Sequence, residues 1–212
     1  MTMRRPYPPT AMLELSELSD FGIRLAPAPQ VWEWLQAEIL ADTGSIHNED
    51  HAHLLDADIR FMWASSAFEK QGRTVLGQAE QVAFRAGGWQ KARMEQQMRD
   101  WFGDVPVFII TLAADYCAQC NDADFCALIE HELYHIAHAN DKYGQPAFTK
   151  DGAPKLEMRG HDVNEFVAIV ERYGVGAPDS DVARMVEAAK QTPSVNRASI
   201  ASACGTCLMR AV

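Results

Sequence analysis

The chain has 212 residues, enough for one well-cored domain with short appendages. Hydrophobic residues make up 48% and charged residues 23%, a balance that argues against wholesale disorder. Acidic side chains outnumber basic ones 29 to 19 and the net charge is −10, so direct nucleic-acid binding, which needs clustered Lys and Arg to replace counterions, is not expected.

In chain order, residues 1–10 read as a flexible leader whose arginines lack the apolar segment of a secretory signal. No apolar run approaches the roughly 20 residues that a bilayer requires, so no membrane span is expected. The expected compartment is the cytoplasm, and an odd number of cysteines, five, fits reduced thiols better than a disulfide framework. A helix is predicted over 30–40, with Val31, Trp34, Leu35 and Ile39 on its inner face. The segment H-N-E-D-H-A-H (47–53) reads as a solvated polar loop, in preference to a second metal site built from His47, His51 and His53 with Glu49, Asp50 and Asp56.

Strands are predicted at 59–63 and 73–77, and a helix over 89–102 after Gly87 and Gly88. The strongest strand is V-P-V-F-I-I-T-L (105–112), where β-branched and aromatic residues dominate and Pro106 suggests a strand start or an edge. Such an edge could receive an extended peptide by strand addition. The strongest helix begins at Asn121 or Asp122, carries Phe125, Leu128, Ile129, Leu133 and Ile136 at helical spacing, and is predicted to stop around 140–144. A polar segment follows to 160, then helices over 162–173 (Val163, Phe166, Val167 and Val170 inward) and 179–191, with Met185 read as core like Trp34. Residues 11–192 are taken as one domain and 193–212 as a tail.

His131-Glu132-Leu133-Tyr134-His135 lies within the strongest helix. Two His four positions apart project from one face and can reach one ion. Zinc lowers the pKa of a bound water towards 7, and Glu132 stands where a carboxylate could take the proton as that water attacks a carbonyl. A tetrahedral zinc with an open position needs a third protein ligand. His138 is about 10 Å along the helix axis from His131 at 1.5 Å per residue, too far to close the same site easily. Asp141 lacks the preceding glycine that would turn the chain sharply. His161 and Glu165, four apart at the start of the next helix, both remain.

The segments A-L-I-E-H-E-L-Y-H-I (127–136) and M-R-G-H-D-V-N-E-F-V-A-I-V-E-R-Y-G (158–174) resemble the putative phage metallopeptidase family, small zincin-like proteins encoded by phages and prophages. H-L-L-D-A-D-I-R-F-M (53–62) and T-V-L-G-Q-A (74–79) are similar to that family's preceding strands. The resemblance covers about residues 50–174. It implies an α+β fold, a minimal zincin-like domain with a small mixed sheet packed on the motif helix. It also implies that His161, in M-R-G-H-D, closes the zinc site with His131 and His135, leaving Glu165 as the alternative. A neutral imidazole is in addition the commoner companion of two other His at such a zinc. Asp162 is a candidate to orient a ligand from behind, and Tyr143, Arg172 and Tyr173 are candidates to stabilise a transition state.

Two C-x-x-C pairs stand apart from the motif. Cys117 and Cys120 with Cys204 and Cys207 could enclose a second, structural zinc, although unrelated reduced thiols are the plainer expectation. The chain departs from the family pattern in carrying Cys117, Cys120 and Cys126 just ahead of the motif. The expected function is zinc-dependent hydrolysis of a peptide or protein substrate, with Glu132 as general base and Zn2+ as cofactor. The alternative is a non-catalytic, zinc-stabilised phage protein that binds a host or phage partner.

Overall fold

The computed structural model describes residues 4–16, 22–70, 72–163, 167, 170–171, 174–196 and 198. Its centre is a four-stranded mixed sheet built from β1 (Leu25–Pro27), β2 (Ile59–Ala64), β5 (Gly77–Gln81) and β6 (Phe108–Ala113) in the order β1-β2-β6-β5. Strands β2 and β6 run parallel, and β1 and β5 flank them antiparallel. Two further strands, β3 (Phe68–Lys70) and β4 (Arg73–Val75), form a separate hairpin ahead of β5. The architecture is therefore α+β with a small mixed sheet, as expected.

Side chains alternate across a strand, so the register decides what faces the core. Ile59 pairs with Phe108, Phe61 with Ile110 and Trp63 with Leu112. These six share one buried face, which Ala79 of β5 extends. Helix α2 (Pro29–Leu35) packs Val31, Trp34 and Leu35 against that face, and a π-helical turn (Gln36–Leu40) adds Ile39. Helix α5 (Asp122–Tyr134) adds Phe125, Leu128, Ile129 and Leu133, with the Phe125 ring edge-on to Trp34 at 5.4 Å. The Asn121 side chain accepts from Asp124 N–H and caps α5, satisfying one of the donors every helix start leaves open.

Several expectations change. The strand predicted at 105–112 begins only at Phe108, and β6 lies between β2 and β5 rather than at an edge. Pro106 precedes the ladder, where a missing N–H does no harm. The edge nearest α5 is β5.

Residues 4–10, expected within a flexible leader, are anchored through Arg5. Its guanidinium donates to Cys117 O at 3.0 Å and Cys120 O at 2.7 Å, and its Nε lies 2.6 Å from Asp122 Oδ1. It thereby satisfies carbonyls at the end of α4 (Ala114–Gln119), which have no partner inside their own helix.

Helix α5 stops at Tyr134, several residues earlier than its apolar period suggests. His135 is its C-cap, and β7 (Ile136–His138) pairs antiparallel with β8 (Leu156–Met158). Ile136 keeps its place in the core from a strand. The intervening segment, expected as a polar loop, is laced by the bonds Ala147 N–H to Ala139 O and Lys155 N–H to Ala147 O.

The segment 47–53 is also not a solvated loop. It includes a 3-10 helix (Glu49–Leu54) in which His51 is fully buried, and the His53 ring bonds Ile136 O at 2.9 Å. Helix α3 (Gly88–Phe102) matches the predicted 89–102, and Asp181–Lys190 the predicted last helix, but no residue of the latter is buried and Met185 is 51% exposed. Most of the helix predicted over 162–173 lies outside the described residues, and Val167, expected inward, is exposed.

Candidate metal centre

Three imidazoles converge at the end of α5. One ring nitrogen from each of His131, His135 and His161 lies within 4.8 Å of the others, and His131 Nε2 is 3.1 Å from His161 Nε2. The ring centroids are 4.9–5.2 Å apart. Among the described residues this is the one group of His, Cys, Asp or Glu that could hold a metal ion.

Each ring arrives by a different route. His131 sits in the last full turn of α5, and His135, at the C-cap, is still in the right-handed helical region, so the i, i+4 relation survives the helix end. His161 comes from the hairpin. Arg159 N–H donates to His135 O at 2.9 Å, continuing the β7–β8 register by one pair, and His161 follows two residues later.

That pair also sets a tautomer. His135 Nδ1 lies 2.9 Å from Arg159 O, so Nδ1 carries a proton, and in the neutral ring Nε2 keeps its lone pair for a cation. The supporting oxygen is thus a backbone carbonyl. Asp162, expected to orient a ligand, forms an ion pair with Arg159 at 3.1 Å and through its charge raises the proton affinity of His161.

The electrostatics favour neutral rings. Burial, then the neighbouring His135 and His161, pushes the His131 pKa down to about 4. Burial also lowers that of His161. At neutral pH both rings are therefore uncharged and able to accept a cation.

Glu132 is fully buried on the same helix and turns towards β5. Val82 N–H bonds Val107 O, which fixes the even-numbered residues of β5 as those bonded to β6. The odd-numbered N–H and C=O groups point away from β6. One of them, Ala79 N–H, donates to Glu132 Oε2 at 2.8 Å. Sequence reasoning missed Ala79 and Gly77, whose only signal was a glycine inside a strand pattern, a mark of close approach. On the opposite face of the sheet, an apolar trough of about 310 Å³ opens between Leu25, Phe68, Val75 and Gln78.

The remaining candidates lie elsewhere. His138, expected on the motif helix, is on β7, where its Nε2 lies 2.8 Å from Ala147 O. Asp141 Oδ1 accepts from Tyr143 N–H and Gln145 N–H in a turn, and the Tyr143 side chain is 74% exposed. His47, His51 and His53 do not form a ligand cluster among the described residues. Glu130 instead takes a hydrogen bond from Asn48 at 2.6 Å, while Tyr134 donates to Asp50 at 2.8 Å, binding this segment to α5.

Cys117 is buried and Cys120 lies 3.8 Å from the Arg5 guanidinium. The hydrogen bond between the two thiols, with Arg5 assisting, draws Cys120 down to about 7, while the same bond and burial drive Cys117 up. Cys204, Cys207, Glu165, Arg172 and Tyr173 lie outside the described residues.

No helix among the described residues is long and apolar enough to cross a membrane. No curated protein and no solved structure matches the chain. A family model does: the one described as putative phage metallopeptidase matches residues 32–190, about three-quarters of the chain and the whole of the three-histidine centre, and the chain belongs to that family.

Proposed function

We propose that this protein is a zinc-dependent metallopeptidase of minimal zincin-like design, acting on a peptide or protein substrate. The observation that carries the reading is the convergence of His131, His135 and His161 beside a buried carboxylate on the same helix. Membership of a family described as putative phage metallopeptidase supports a metal ion and peptide hydrolysis.

The donor set suits zinc. Three imidazoles with one position left open is a catalytic rather than a closed structural arrangement. At Zn–N bonds of about 2.0–2.1 Å, tetrahedral ligands sit roughly 3.3–3.4 Å apart. One edge, the 3.1 Å between His131 and His161 Nε2, is close to that value, and all three donor nitrogens lie within 4.8 Å of one another. When bound, zinc supplies Lewis acidity, polarising the scissile carbonyl and acidifying a water.

The chain's own groups do the rest. Glu132 takes the proton from the attacking water at a carboxylate oxygen and returns it to the leaving amine nitrogen. Arg159 O keeps His135 Nδ1 protonated, so the ring binds through Nε2 and stays in place. The outer edge of β5, which neighbours Glu132, replaces 105–112 as the edge for an extended substrate.

The rival reading is a zinc-stabilised binding protein without catalysis. A purely structural site has no use for a buried carboxylate turned from the metal-bearing helix towards the outer strand of the sheet. Zinc content and hydrolysis of a denatured-protein panel, for wild type, Glu132→Gln and His161→Ala, separate the two. Glu132→Gln should keep its zinc and lose activity by about 10²–10⁴-fold. His161→Ala should lose more zinc affinity than the 10–100-fold typical of a supporting group. A zinc-loaded wild type inert on every substrate would leave the binding protein.

A further inference from the structure

Glu132 is held from two sides, and only one of them is its own helix. Ala79 N–H donates to Oε2 at 2.8 Å from the side of β5 that faces away from β6. Two residues earlier on that side stands Gly77. A Cβ there would lie 2.9 Å from Glu132 Oε1, 3.2 Å from Glu132 Cγ and 2.9 Å from Leu128 Cδ1. Contacts under 3.0 Å force something to shift.

The backbone does not explain this glycine, because Gly77 is absent from the positive-φ positions. The space does. Neither neighbour can retreat into solvent, since Glu132 is 0% and Leu128 1% exposed. No histidine ring is among the three atoms that an added Cβ would meet first. The restriction at Gly77 therefore acts on the carboxylate and on Leu128, and spares the metal ligands.

We propose that Gly77 is a positioning residue for the hydrolytic reaction: its missing side chain, together with Ala79 N–H, holds the Glu132 carboxylate in the orientation from which it accepts the proton. This rests on the metallopeptidase reading above. A methyl group at residue 77 turns the carboxylate off the Ala79 amide, and a base displaced by a fraction of an ångström meets the proton poorly.

The test uses the full chain. In metal-free protein, the Ala79 amide proton of Gly77→Ala is expected to move, by NMR, towards its position in Glu132→Ala. In zinc-loaded protein, kcat is expected to fall by about 10–100-fold, as misplacement by about 1 Å can cost. KM should stay within about twofold, because an added methyl leaves the Gly77 backbone groups on the outer edge of β5 in place, and zinc affinity within about threefold, because ligation does not use Gly77. In a Glu132→Asp background, where the shorter side chain leaves room, Gly77→Ala should cost less than about threefold further, a departure from additivity that marks a shared cause.

Should Gly77→Ala fold poorly, Gly77→Ala with Leu128→Ala removes the second clash and keeps the one with Glu132, with the same readings expected. An unchanged Ala79 resonance, an unchanged kcat, or a loss of zinc in step with kcat overturns the proposal while leaving the peptidase reading intact. A zinc-loaded wild type inactive on every substrate overturns both.

Discussion

His131 carries two demands at once. To ligate as proposed its ring must be neutral, and burial with His135 and His161 nearby secures this by lowering its pKa to about 4. The cost appears as acid sensitivity. In the unfolded chain the same ring titrates near 6.5, so between about pH 4 and 6.5 the unfolded state binds more protons than the folded one. The folded metal-free protein is then at its full stability above pH 6.5 and loses stability as the pH falls through that window. His161 and His53, both lowered chiefly by burial, act in the same direction. Urea midpoints of the metal-free chain should drop between pH 7 and 4.5, and His131→Gln should flatten the dependence. A pH-independent midpoint in the wild type would contradict the account.

The centre depends on where elements end as much as on which residues they hold. Helix α5 stops at His135 because Arg159 N–H takes up the His135 carbonyl and the chain enters β7. The β7–β8 ladder then delivers His161 to His131. The bonded pairs of an antiparallel ladder alternate, which places Ala137 and Glu157 among them, between the pairs joined by Arg159 N–H and Ala139 N–H. Glu157→Pro removes that donor without touching a ligand. Zinc affinity, measured by chelator competition, should fall at least about 10-fold, the range in which supporting interactions act. The core, in which Glu157 has no part, should melt within a few degrees of wild type. Retention of full affinity would show that His161 is placed by something other than this hairpin.

Across the whole molecule, the N-terminal segment closes the base of α5 from outside. Arg5 bonds two carbonyls at the end of α4, pairs with Asp122 in the first turn of α5 and stacks over Phe125 at 4.9 Å. Arg5→Ala leaves buried acceptors without a donor, which should cost roughly 2 kcal/mol. For a chain of this size that corresponds to about 4–8 °C in Tm. Arg5→Lys should recover little of it, because an ammonium cannot copy the forked geometry. A melting temperature unchanged in Arg5→Ala would return residues 4–10 to the role of a loose leader.

What the sequence determined by itself was local. The i, i+4 spacing of His131 and His135, the Asn121 cap and the inward faces of α2 and α5 follow from residues within a few positions of one another, and each stands in the structure. The phage-family likeness, read from two segments, matches the family found. Tertiary structure decided whatever depends on partners distant in the chain. A helical period cannot register that Arg159 will claim the carbonyl of His135, so α5 was read too long and His138 was placed on the wrong element. Composition alone cannot show that β5 will pair outside β6, so Pro106 in the sequence suits a strand start and an edge equally, and only the structure excludes the edge. Arg5, Gly77 and Ala79 stayed unread for the same reason: their roles arise from groups 112, 55 and 53 residues away, and only the packed chain brings those groups together.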